Sequence, residues 1–247
     1  MKVTGFTAII PARSGSKGIK DKNLSLLHGY PLLSYSIAAA KKCPSISRVI
    51  VSTDSELYAD VSKKFGAEVP FLRPKKISAD NSSDYDFIAH AIEWFEKYDD
   101  SSPEFIVHLR PTTPLRDPSI LEAAISIIKK RNDATSLRSA HIAPESPFKW
   151  FRVNKKGYFV GLNDDDTNLD KYNEPRQNFP EVFIPNGYID IIRCAFVKKH
   201  KLLHGHRVLS FETPFCHEVD TQEELDMIQF QMNKDKTTMT DYLKGCN

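Results

Sequence analysis

The 247-residue sequence predicts an α/β protein organised around a mostly parallel sheet. Three observations predict it. Short apolar runs alternate with stretches of helical period, helix-start signals stand between them, and chemically purposeful residues recur just past the runs. The run Phe6-Thr7-Ala8-Ile9-Ile10 reads as a buried strand, and Val49-Ile50-Val51-Ser52 as another. A helix follows with Leu57, Val61 and Phe65 on one face, and Thr53 and Glu56 stand ahead of it at capping-box spacing. Phe87, Ile88, Ala91, Ile92 and Phe95 repeat at helical intervals, and Glu104–Leu109 supplies a further strand. Asp117-Pro118 reads as an N-cap followed by a proline in the first helical position. Ile120, Leu121, Ala124, Ile127 and Ile128 continue that helix.

Between about 140 and 180 the pattern loosens, with Pro144, Pro147, Pro175 and the run Asn163-Asp164-Asp165-Asp166. This stretch reads as a protruding arm with short strands near Phe148–Val153 and Tyr158–Val160, the acidic run being a solvated turn. Order returns with strands at Gly187–Ile192 and Val208–Phe211. A last amphipathic helix carries Leu225, Ile228 and Met232, opened by Thr221 and Glu224 at capping-box spacing. The expectation is one domain over 1–247 with the arm inside it.

Hydrophobic content of 40% and charged content of 27% are those of a globular protein. A net charge of +2 excludes a chain-wide electrostatic nucleic-acid surface. Cysteines at 43, 194, 216 and 246 show no metal-ligand spacing, so reduced thiols are expected. No apolar run reaches membrane-spanning length, and Met1-Lys2-Val3 leads straight into a strand rather than a signal peptide. A cytoplasmic location without membrane partners is therefore expected.

The most informative segment is Pro11-Ala12-Arg13-Ser14-Gly15-Ser16-Lys17-Gly18-Ile19-Lys20-Asp21-Lys22-Asn23. Small residues after a strand let backbone N–H groups crowd an anion, while Arg13, Lys17, Lys20 and Lys22 bring positive charge. That combination suits a polyphosphate. Ser52-Thr53-Asp54 and Arg110-Pro111-Thr112 also follow strands, and the carboxyl edge is where open α/β sheets bind ligands. A nucleotide-handling protein is the implied class. It uses neither a Walker loop, since Gly-Lys occurs nowhere, nor a G-x-G-x-x-G fingerprint.

The opening segment closely resembles that of the acylneuraminate cytidylyltransferases, the CMP-sialic acid synthetases. Further blocks follow in that family's order: Ser52-Thr53-Asp54-Ser55, Arg73-Pro74 with Ser78-Ala79-Asp80, and Arg110-Pro111-Thr112-Thr113-Pro114-Leu115-Arg116. Arg176-Gln177, Pro185-Asn186-Gly187 and Glu218-Val219-Asp220-Thr221 complete the set, so the resemblance runs from residue 6 to about 225. The chain departs from the family at Arg110, where glutamine is usual, at Glu218, where aspartate is usual, and at Tyr188-Ile189-Asp190. The opening loop does not follow the related CMP-Kdo synthetases.

The resemblance implies a Rossmann-like three-layer nucleotidyltransferase fold whose small protruding arm makes a homodimer with partly shared sites. It implies transfer of CMP from CTP to a nine-carbon α-keto sugar acid, with release of pyrophosphate. The acceptor stays open among N-acylneuraminate, legionaminate, pseudaminate and Kdo types, as does another nucleoside triphosphate or a non-catalytic nucleotide-binding role. Arg13, Lys17, Lys22 and Asp220 are the implied catalytic residues. Ala12, Arg13, Ser14, Gly15, Ser16, Lys17, Asn23, Arg73, Ser82 and Ser83 would surround the nucleotide. Arg110, Thr112, Lys149, Arg176, Gln177 and Asn186 would meet the sugar acid, with Arg110 as an additional fixed cation. Glu218 and Asp220 would hold Mg²⁺ or Mn²⁺, although acidic residues before a helix also serve as plain caps. His217 is expected to be structural, and the tryptophans to serve core and interface.

Overall fold

Alternation along the first strand sets the architecture. In β1 (Lys2–Pro11), Ala8 and Ile10 face one side and Ile9 the other, and all three are fully buried. A strand dry on both faces requires a layer of helices on each. The computed structural model describes residues 2–99, 101–163, 166–234 and 239–246. After β1 a loop runs through the two-residue strands β2 (Leu26–Leu27) and β3 (Tyr30–Pro31) into α1 (Leu32–Lys41). Then come β4 (Ile46–Ser52), α2 (Glu56–Lys64), α3 (Asp84–Tyr98), β5 (Ser101–His108), α4 (Pro118–Lys129) and β6 (Ser136–Ile142). An arm holds β7 (Phe151–Val153) and β8 (Phe159–Gly161). The chain continues through β9 (Phe183–Arg193), α5 (Cys194–His200), β10 (Val208–Glu212), α6 (Gln222–Lys234) and α7 (Met239–Lys244).

The main sheet has the order β10-β6-β9-β5-β1-β4, with β9 antiparallel to both its neighbours and the other pairs parallel. Ile9, Ile50, Ile106 and Ile192 pack on one side against α3 and α5. Their neighbours in sequence, among them Ala8, Ile10, Val49, Val51 and Val107, pack on the other against α1, α4, α6 and α7. The predicted three-layer, mostly parallel α/β architecture is the one observed.

Local expectations fare unevenly. Asp117 caps α4 through a 2.8 Å bond from the Ser119 N–H, with Pro118 in the first turn. Glu224 accepts from the N–H groups of Asp220 and Thr221 at 2.7 and 2.8 Å, which is the predicted capping box. At α2 the cap is Ser55 rather than Thr53, and the buried face is Tyr58, Ala59 and Ser62. Of the predicted face, Phe65 is buried and Val61 packs against the core, whereas Leu57 in the first turn is 62% exposed. Helix α1 has no counterpart in the sequence reading: nine of its residues, Leu32 to Ala40, are buried, so it shows no polar face to mark a period. The arm carries the two expected short strands as an antiparallel pair and leaves Trp150, Phe151, Tyr158 and Phe159 well exposed. Of the acidic run, Asp164 and Asp165 lie outside the described residues, while Asp166 pairs with Lys171 at 2.6 Å.

Helix α4 separates position from periodicity. Ile125, not singled out by the sequence pattern, is fully buried, whereas Ile127 is 41% exposed. Ile125→Ala is expected to cost about 2–5 kcal/mol of unfolding free energy and Ile127→Ala less than about 1 kcal/mol. Urea denaturation of the two variants measures the difference, and equal costs would contradict this packing.

Candidate active site

Two glycines let three segments converge at the carboxyl edge of the sheet. A Cβ on Gly18 would collide with the backbone carbonyl of Asp220. At Gly187, where φ is +61°, a Cβ would lie 2.6 Å from Glu218 Oε1 and 3.2 Å from Arg110 Cδ. The segment 218–220 is thereby drawn between the loop after β1 and the start of β9. Val219, buried between its two acidic neighbours, donates its N–H to the Thr112 carbonyl at 2.8 Å.

The loop after β1 is pinned from below. The Ser14 N–H and hydroxyl both donate to Asp54, at 2.8 and 2.9 Å, and Asn23 Nδ2 donates to the Arg13 carbonyl at 3.1 Å. Arg73 is buried and donates to the Ser52 carbonyl at 2.5 Å and Ser52 Oγ at 3.1 Å. Burial lowers its pKa to about 10, so it stays charged at neutral pH beneath the cavity floor. The result is a cavity of about 460 Å³ lined by Arg13, Ser16, Lys17, Gly18, Lys22, Asn23, Arg73, Ser82, Ser83, Asp84, Arg110, Thr112 and Asp220, among others.

Its cations are already engaged. Asp80 bridges Arg13 at 2.9 Å and Lys17 at 2.6 Å, the grip an anionic ligand would receive. The Lys17 hydrogen bond, with Arg13 beside it, holds this carboxyl below the usual carboxylate range. Lys22 pairs with Asp220 at 2.8 Å. Glu218 is half-buried, and burial pushes its carboxyl above the usual range against the opposing pull of Arg110. Among the described residues no group of three His, Cys, Asp or Glu side chains forms a metal cage. Glu218 and Asp220 are two hard oxygen donors with mutual repulsion to relieve, a donor set that suits a divalent cation completed by water and ligand oxygens.

Arg110 departs from expectation. It is not a spare cation: Nη1 donates to Asp190 at 3.0 Å and Nη2 to Asp84 at 2.6 Å. Asp190 is paired in register with His108 on β5 and with Arg138 on β6, and Arg138 Nε lies 3.6 Å from it. Burial drives the His108 pKa down to about 4, so this histidine is neutral, and its Nε2 has no partner among the described residues. Sequence reasoning assigned no site role to Asp80 or Asp84, and it marked Asp190 only within the Tyr188-Ile189-Asp190 departure as a segment near the sugar or metal. The signal available for the last was that a charged residue stands in an otherwise apolar strand beside a non-consensus arginine.

The proposed sugar-side residues scatter. Arg110 and Thr112 line the cavity, but Asn186 is buried, bonded to Ser139 Oγ at 2.8 Å and Thr213 Oγ1 at 2.6 Å, and it braces the β9 turn. Arg176 donates to the carbonyls of Ala143 and Pro144, and Lys149 to that of Glu174, so both are tied into the arm. Arg176 and Gln177 line a separate cavity of about 340 Å³ with Ala143, Ser146 and Phe179. Within one chain these three do not reach the first cavity. Ala12 is buried behind the loop, Gly15 takes φ +71° at its bend, and His217 rests edge-on to Phe215 at 4.7 Å, as a structural residue would.

Fold and cavity together define a nucleotidyltransferase-like α/β protein with its polar groups at the carboxyl sheet edge. Residues 7–243 match the Cytidylyltransferase family, and the chain belongs to that family of nucleotidyltransferases. It is 30% identical over 242 residues to the N-acylneuraminate cytidylyltransferase of Escherichia coli O18:K1:H7, covering 94% of this chain and 54% of that protein. Over 124 residues it is 39% identical to the CMP-N,N'-diacetyllegionaminic acid synthase of Legionella pneumophila, covering 49% of this chain and 52% of that one. The chain thus spans about half the length of these curated relatives. The post-translational flagellin modification protein B of Campylobacter coli is 25% identical, with 94% of this chain and 97% of that protein covered. Among solved structures, a CMP:2-keto-3-deoxy-manno-octonic acid synthetase complexed with CTP shares the fold at a TM-score of 0.68 and 17% identity, with 94% and 99% of the two chains covered.

The buried His108 has a measurable consequence. An unfolded chain protonates it near the ordinary value of 6.5, the folded one only near about 4, so in between the unfolded state binds more protons. Stability is expected to fall as pH drops through that window, by no more than about 1.4 kcal/mol per pH unit from this group. Urea midpoints at several pH values should show the decline, and His108→Leu should flatten it. An unchanged slope in that variant would overturn the assignment.

Proposed function

We propose that the protein is a cytidylyltransferase that couples CTP to a nine-carbon α-keto sugar acid, releasing pyrophosphate. One observation carries this reading: Arg13 and Lys17, held on Asp80, line the same cavity at the carboxyl sheet edge as the Lys22–Asp220 pair. A triphosphate exchanges for Asp80 on Arg13 and Lys17, while Lys22, in the same cavity, meets charge at the α-phosphate. The anomeric hydroxyl of the acceptor bonds through its oxygen to the α-phosphorus and gives up its proton to water, and the bond to the bridging oxygen breaks as pyrophosphate departs. Such chemistry is chiefly positioning and charge neutralisation, which is what these fixed cations supply. Glu218 and Asp220 would hold Mg²⁺, which when bound neutralises phosphate charge and acidifies a neighbouring hydroxyl. The base follows from family membership, with Asn23, Arg73, Ser82 and Ser83 lining the cavity that would hold it.

The acceptor's carboxylate needs a cation that the single chain does not bring to the cavity. We place Lys149, Arg176 and Gln177 there through a homodimer in which the arm serves the neighbouring copy. The exposed Trp150, Phe151, Tyr158 and Phe159 of the arm support that contact. No helix among the described residues is long and apolar enough to cross a membrane.

The test is pyrophosphate release with each of four nucleoside triphosphates against a panel of keto sugar acids. CTP with a nonulosonic acid is expected to be turned over, and Asp220→Ala to lower turnover by about 10²-fold at saturating Mg²⁺. Release with no pairing, or an Asp220→Ala variant within a few-fold of the parent, would contradict the assignment. Light scattering should give a mass near twice 28.1 kDa, and only monomer at micromolar concentration would remove the shared-site arrangement.

A further inference from the structure

Strand order divides the cavity into two ends. The β1 and β4 side carries Arg13, Lys17, Lys22 and Arg73, with Asp80 on the first two, Asp220 on Lys22 and Asp54 acting on Arg73. The β5 and β9 side carries Arg110 and Asp84 at the surface, with Asp190 buried behind and Arg138 beside it. Two arginines there meet two aspartates, with Glu218 also near Arg110, so no positive charge is left uncompensated. This is not an end that attracts a carboxylate.

It remains rich in directed hydrogen-bonding groups. A guanidinium has five N–H donors, and the Asp84 and Asp190 bonds use one on each terminal nitrogen. Asp84 gives one oxygen to Arg110, and its side chain is still 42% exposed at the cavity wall. A fixed donor and a fixed acceptor therefore stand side by side, oriented by a carboxylate that has no access to water. We infer that Arg110 and Asp84 form a specificity pair for a neutral substituent of the acceptor that both accepts and donates, an amide or a hydroxyl, and that Asp190 is the positioning residue that aims Arg110. The inference rests on the proposed transferase reading. The pair rejects acceptors lacking that group because its own donor and acceptor would then be left dry and unmatched.

Initial rates of pyrophosphate release with CTP decide it, using the parent, Asp84→Asn and Arg110→Gln. The acceptors are the best sugar acid from the panel, a matched acid lacking the amide, and one lacking a side-chain hydroxyl. In the parent, one of the two truncated acids is expected to lose at least about tenfold in kcat/KM. Both variants should raise the KM for the full acid by about tenfold, hold the CTP KM within about twofold, and shrink the discrimination against that truncated acid. Arg110→Gln approaches the pair from its other partner, so a folding failure in either variant, read as a lost thermal transition, leaves the remaining one decisive. Unchanged acceptor KM, or acceptor and CTP KM rising in parallel, overturns the pair while leaving the transferase reading intact. A parent that releases pyrophosphate with no acid overturns that reading, and this inference with it.

Discussion

A guanidinium with no route to water organises the end of the sheet on which everything else stands. Arg116 is buried, and burial lowers its pKa to about 10 without discharging it. It donates to the carbonyls of Arg110, Thr113, Gly187 and Tyr188 and to Ser36 Oγ. Those acceptors belong to the loop after β5, to β9 and to α1, so one side chain holds three segments at fixed separation. A buried cation is tolerable only when its donors are matched in this way. Removing it would take a donor from five acceptors, of which the Arg110 carbonyl keeps the Thr113 N–H and Ser36 hydroxyl, and release the turn that presents Arg110 to the cavity.

The same principle, charge answered by charge, governs the cavity above. Arg13, Lys17, Lys22, Arg110 and Arg116, quoted from the two strongest sequence blocks, each turn out to have a partner or a set of carbonyls. The pairs differ in kind, however. Asp190 is locked in the sheet between β5 and β6, whereas Asp80 and Asp220 hang from exposed loop positions. Fixed compensation shapes a recognition surface, and exposed compensation can be exchanged for a ligand.

Much of this was legible in the sequence where local chemistry acts locally. The alternation of β1, β4 and β5, the Asp117-Pro118 helix start and the Thr221–Glu224 box depend on neighbours within a few residues, and they stand as read. Helix α1 was illegible because burial on all sides erases the polar face that periodicity needs. On α2 the predicted face is right at Val61 and Phe65, which pack on the core, and fails only at Leu57 in the first turn. In the site, the loop 11–23 and the block 110–116 announced themselves, whereas their counter-charges lie 26 and 80 residues from Arg110 in the chain. An ion pair of that separation leaves no local trace. Lys149 and Arg176 were recognisable as cations, but their place in the arm is a matter of three-dimensional path, not residue type.

Asp80 has a bearing on selectivity of another sort. A carboxylate tethered beside Arg13 and Lys17 competes with every dissolved anion at a high effective concentration. Monovalent and simple inorganic anions offer little that this tethered group does not already provide. A ligand with several linked phosphates can engage both cations and the loop amides together, so it wins where a single charge loses. The protein thus carries its own threshold against the ordinary salts around it.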